Sequence, residues 1–117
     1  MRGLYLEYLT MYRMITNHEF KSLMEAIDDA IDAGFTVKFI VNERGFGDNK
    51  LTYLPETVAY VKAIHLQNTS GNQSVLYLLE MVDGICGWTS SQQDAFAKIL
   101  LEQHLDRIKE NFKQNEL

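Results

Sequence analysis

Apolar residues recur at three- and four-residue intervals at Phe20, Leu23, Met24, Ile27, Ala30 and Ile31, while Glu25, Asp28, Asp29 and Asp32 lie on the opposite side. That is the pattern of an amphipathic helix. Thr16 and Glu19 have the spacing of a capping box, which places the helix start near Asn17, and Gly34 suits the left-handed residue that closes many helices. Phe35, Val37, Phe39 and Val41 then alternate with Thr36, Lys38, Ile40 and Asn42, predicting a single strand over 35–42. A glycine-bearing loop follows at 44–50, then a short strand at 51–54 and a turn at Pro55-Glu56. Strands are expected at 58–67 and 75–82, separated by the polar loop 68–73. Asp83-Gly84 is a two-residue hairpin signal that folds 85–88 back as the next strand. Thr89, Ser90 and Ser91 mark a helix start near Gln92, and Phe96, Ala97, Leu100, Leu101, Leu105, Ile108 and Phe112 sustain a long final helix.

The elements add up to an α+β fold: a four-stranded, mainly antiparallel sheet with an N-terminal amphipathic helix and a long C-terminal helix. Residues 1–15 read as an N-terminal extension, since Leu4, Tyr8, Met11, Tyr12 and Ile15 fit a helical face and an extended chain equally. Residues 16–114 read as a single domain.

Strand 75–82 carries the sharpest signal. One face is Val75, Tyr77, Leu79, Met81 and the other Leu76, Leu78, Glu80, Val82, so both are largely apolar. Either the two helices cover opposite faces, or they share one and a second copy of the chain closes the other. The second arrangement makes the protein a homodimer, with Leu76, Leu78, Leu101, Leu105, Ile108 and Phe112 as the contact residues.

Charge narrows the partners. Eleven basic against 16 acidic residues give a net charge of −5, and no stretch gathers Lys and Arg to track phosphates, so nucleic acid is not expected. Glu7 and Arg13 interrupt the apolar N-terminal stretch, so no membrane span is expected. A lone Cys86 in 117 residues points to a reducing, cytoplasmic setting.

No catalytic constellation, cofactor motif or metal-ligand spacing is legible. His18, His65 and His104 are scattered, Cys86 has no neighbouring cation to activate it, and Ser90 and Ser91 read as capping residues. The acidic ridge of the first helix reads as a solvated face. The best candidate for ligand contact is the loop at 44–50, where Gly45 and Gly47 bare backbone amides and Arg44 and Lys50 offer cations, with His65 as a further donor to a small anion.

The helix-Gly34-Phe35-strand unit, with Ser74-Val75-Leu76-Tyr77-Leu78-Leu79 followed by Asp83-Gly84-Ile85-Cys86-Gly87, resembles a group of short uncharacterised bacterial proteins often labelled phosphoribosylpyrophosphate synthetase-like. The resemblance covers roughly residues 16–88 and implies a fold, not a transferase. The expectation is thus a non-catalytic, self-associating interaction module with an unidentified protein partner, the alternative being a small-anion or metabolite sensor using 44–50.

Overall fold

The structure is a computed structural model that describes residues 22–67 and 73–114. The Thr16–Glu19 capping box, the extension at 1–15, His18 and the loop at 68–72 lie outside the described residues. Helix α1 (Leu23–Asp32) begins where Ser22, in extended conformation, accepts the Glu25 N–H at 3.2 Å, six residues later than the spacing near Asn17 predicts. Its other end is a Schellman motif: the Gly34 N–H reaches the Ile31 carbonyl at 3.0 Å and the Phe35 N–H the Ala30 carbonyl at 2.9 Å. Gly34 has φ 108°, the expected left-handed closure.

The remaining elements are β1 (Val37–Lys38), β2 (Ile40–Val41), β3 (Phe46–Gly47), β4 (Thr52–Tyr53), a 3-10 turn (Pro55–Thr57), β5 (Val58–Gln67), β6 (Gln73–Met81), β7 (Cys86–Ser90) and α2 (Ala95–Gln114). They form two sheets, one of order β1-β7-β6-β5 and one of order β2-β3-β4. The larger sheet is mixed rather than mainly antiparallel, because β1 lies parallel to β7 while β5, β6 and β7 form an antiparallel meander. The smaller antiparallel sheet is an addition to the expected fold.

The single strand expected over 35–42 is split at Phe39. Its N–H bonds the Trp88 carbonyl at 2.8 Å, whereas Ile40 and Val41 turn away to pair with β3. Gly87 makes the split possible. A Cβ there would stand 2.2 Å from the Val37 carbonyl oxygen and 2.5 Å from the Phe39 ring, so only a residue without a side chain lets Phe39 lie across β7.

The two helices cover opposite faces of the larger sheet. Ala26 and Ala30 of α1 pack with Phe35, Ile64, Leu76 and Leu78, and Leu101 and Ile108 of α2 pack with Phe39, Val58, Leu79 and Met81. The contact face of α1 is built on alanines, which bring its backbone close to the sheet; Met24 and Ile31, expected inside, are exposed. Helix α2 starts later than expected: β7 runs on through Thr89 and Ser90, and Asp94 caps the helix by accepting the Ala97 N–H at 2.8 Å. Among the described residues no helix is long and apolar enough to cross a membrane.

Candidate ligand groove between the two sheets

The β2–β3 hairpin is organised by Asn42. Its Oδ1 accepts the N–H groups of Arg44 and Gly45 at 2.9 and 3.0 Å, and its own N–H donates to the Gly45 carbonyl at 3.0 Å. The Asn42 carbonyl is held from the other side by His104 of α2, Nε2 to oxygen 2.7 Å. A carbonyl only accepts, so Nε2 carries the proton. The His104 ring also meets Phe46 edge-on at 5.5 Å, which locks the hairpin against α2.

The β3–β4 loop is closed in the same manner. Asp48 Oδ1 accepts the N–H groups of Lys50 and Leu51 at 2.6 and 2.7 Å. The Leu51 amide, then that of Lys50, holds the Asp48 carboxyl below the usual carboxylate range. A third anchor ties the sheets together: Tyr53 donates its hydroxyl to Asp83 Oδ2 at 3.0 Å, and Asp83 Oδ1 accepts the Ile85 N–H at 3.0 Å. Burial, and then the bond to Asp83, raises the Tyr53 phenol above its ordinary value.

Between these anchors runs an open groove of about 850 Å³. One wall is β1 with Ile40, the other the segment Asp48–Leu51, and Tyr53, Asp83 and Ile85 close it. Three aliphatic side chains stand exposed along it: Ile40 at 62%, Leu51 at 57% and Ile85 at 37%. Such a grouping is uncommon on a surface that meets only water. Both groove carboxylates are engaged by the chain's own donors, whereas neither Lys38 nor Lys50 has a carboxylate within ion-pair distance among the described residues. The Lys38 ammonium instead sits 5.6 Å from the Trp88 ring centre.

No protein-family model, curated protein or solved structure matches the chain. The geometry therefore carries the reading. Of the expected ligand residues, Lys50 lines the groove and the other four do not. Arg44 is exposed on the β2–β3 turn, where its N–H is taken by Asn42. Gly45 and Gly47 are buried: a Cβ on Gly45 would stand 2.1 Å from the Tyr53 carbonyl oxygen, so the missing side chain makes room for the chain itself rather than for a ligand. His65 lies on β5, at the edge of the sheet opposite β1, beside a separate depression of about 280 Å³ with Gln67, Gln73 and Ser74.

The expected dimer residues occupy the chain's own cores. Leu76 and Leu78 are 0% exposed beneath α1, Leu101 and Ile108 are buried on the sheet-facing side of α2, and Leu105 and Phe112 are half-buried against the same core. The apolar faces that suggested a second copy are thus covered within one chain. Cys86 is half-buried, its thiol directed at the Gly84 carbonyl at 3.5 Å. Among the described residues no three His, Cys, Asp or Glu side chains gather into a metal-binding group. Sequence reasoning missed Lys38, Ile40, Leu51, Asp83 and Ile85 as groove residues; the signal for the first two was an isoleucine beside a lysine on the strand face Thr36, Lys38, Ile40, Asn42.

Proposed function

We propose that the protein is a non-catalytic binding module that holds an anionic, partly apolar partner in the groove between β1 and the β3–β4 loop. The observation that carries this reading is the coincidence of three exposed aliphatic side chains with two lysines that form no close ion pair among the described residues, around carboxylates already hydrogen-bonded. A volume of about 850 Å³ suits an organic ligand better than an inorganic ion, since such sites span roughly 300–1,000 Å³. A cytoplasmic setting belongs to the same reading.

The test is a titration of isotopically labelled protein with 4-phenylbutyrate, a probe that joins a carboxylate to an apolar body. Amide shifts confined to 36–40, 48–51 and 83–85, and abolished by Ile40→Asp, are expected. Shifts centred elsewhere, or none at millimolar probe, reject the groove.

A second reading, contact between copies, draws on the exposed Phe96 and Ile99 of α2. Sedimentation velocity of the wild type and of Phe96→Asp tests it; identical monomeric profiles reject it.

A further inference from the structure

This inference rests on the groove reading and names the occupant. Among the described residues β1 is the outermost strand of its sheet, bonded to β7 on one side. Successive peptide groups of a strand point to opposite edges, and the Phe39 N–H is directed at the Trp88 carbonyl. With Lys38 opposite Trp88, the peptide groups of Val37 and Phe39 face β7. Those of Lys38 face outward, along the groove. An open strand edge beside a groove with apolar side chains is the arrangement by which sheets accept an added strand, the main chain supplying hydrogen bonds and alternate side chains supplying selectivity.

Charge selects the kind of strand. Lys38 lies on the edge itself and Lys50 on the facing wall, and neither is ion-paired among the described residues. A second copy adding edge to edge about a two-fold axis centred on Lys38 would set that residue against its own counterpart, and like charges directly opposite are destabilising. An acidic segment meets an ammonium group on each wall, while Asp48 and Asp83, which line the same groove, hold hydrogen bonds from the Lys50 and Leu51 amides and from Tyr53 and the Ile85 amide.

We infer that the groove binds an extended peptide with an acidic side chain, which adds beside β1 as a further strand. Its main chain bonds the N–H and C=O of Lys38, its apolar side chains lie on Ile40 and Leu51, and its carboxylate is drawn to the Lys38 and Lys50 ammonium groups.

The probe is a blocked hexapeptide of alternating valine and glutamate, compared with its valine–lysine counterpart and with a version N-methylated on alternate amides. The glutamate peptide should bind with an affinity that falls as salt rises, and should slow hydrogen exchange at the Lys38 amide by about tenfold or more. The lysine peptide should bind more weakly, Lys50→Glu should narrow or reverse that order, and N-methylation of the paired edge should abolish binding. Equal affinity for the two charge types, or binding without protection at Lys38, overturns the strand addition. So does Lys38 protection that grows with protein concentration alone, which assigns the edge to a second copy. If 4-phenylbutyrate shifts the groove amides while the hexapeptide does not bind, the peptide inference falls and the groove reading stands. If neither probe binds, both fall.

Discussion

Replacing Leu78 separates a core residue from a contact between copies. Leu78 is fully buried, and the wall it faces is made of Ala26 and Ala30 with Phe35, Ile64 and Leu76 around them. Alanines on a rigid helix cannot extend into a void, so Leu78→Ala should fall in the upper part of the usual range for such truncations, about 3–5 kcal/mol. Against a total stability of roughly 5–15 kcal/mol, the variant remains folded but weak. With a urea m-value of about 1.5–2 kcal/mol/M, the unfolding midpoint should drop by about 2–3 M. The drop should be the same at protein concentrations an order of magnitude apart, because α1 belongs to the same chain. Leu78→Glu adds the burial of a carboxylate among aliphatic groups and should remove the native far-UV spectrum. Met24→Glu, on the outward side of α1, is the control and should change stability by no more than about 0.5 kcal/mol. A Leu78→Glu protein with native circular dichroism and an altered sedimentation coefficient alone would refute the reasoning, since it would place Leu78 between copies.

Gly34→Ala should destabilise by about 1 kcal/mol or more, because φ 108° is strained for any residue with a Cβ; an unchanged denaturation midpoint rejects the Schellman closure. His104→Ala removes the donor to the Asn42 carbonyl and the Phe46 contact, at a cost of about 2–4 kcal/mol, and hydrogen exchange at Arg44 and Gly45 should quicken; exchange at the wild-type rate shows that α2 does not hold the hairpin. The raised phenol of Tyr53 means that the fold favours its neutral form, a contribution fully present below the unfolded value of about 10 and lost as pH rises through the higher folded value. Urea midpoints should therefore fall more steeply between about pH 10 and the folded value in the wild type than in Tyr53→Phe, and parallel pH profiles argue against the Tyr53–Asp83 bond.

Where structure follows local pattern, it was legible. The β-branched and aromatic content over 58–67, the apolar run over 75–82 and the glycine at 34 correspond to β5, β6 and the closure of α1. The break at Phe39 was not, since Phe35, Val37, Phe39 and Val41 hold an uninterrupted period of two. It depends on Gly87, nearly fifty residues away in the chain, accepting the Phe39 ring. The face of α1 was legible in Leu23, Ile27 and Ala30 but misjudged at Met24, Ile31 and Ala26, because hydrophobicity ranks the first two above alanine, whereas close approach to a sheet favours the smaller side chain. The same limit applies to the site. Lys50 could be picked from its loop, but a glycine required for packing, as at Gly45, carries the same local signature as one that bares an amide to a ligand. Asp83 was legible as a turn residue through the oxygen that meets the Ile85 amide. Its other oxygen serves Tyr53, thirty positions earlier, and no local pattern encodes that.

The two-sided burial of β6 bears on how the meander finds its alignment. In a sheet with one wet face, a slip of one residue drives every apolar side chain into solvent, and that penalty enforces correct pairing. Here the slip would exchange Leu76 and Leu78 for Tyr77 and Leu79, one largely apolar row for another, and solvent exposure would hardly resist it. Two features discriminate instead. Glu80, buried on the α1-facing row, would be forced among Val58, Leu101 and Ile108, and the closed Met81–Ile85 loop, with Gly84 at φ 93°, admits one alignment of β6 with β7. Substitutions at Glu80 and Gly84 thus bear on the yield of correctly paired chains, and on aggregation during folding, beyond what their contacts contribute to native stability.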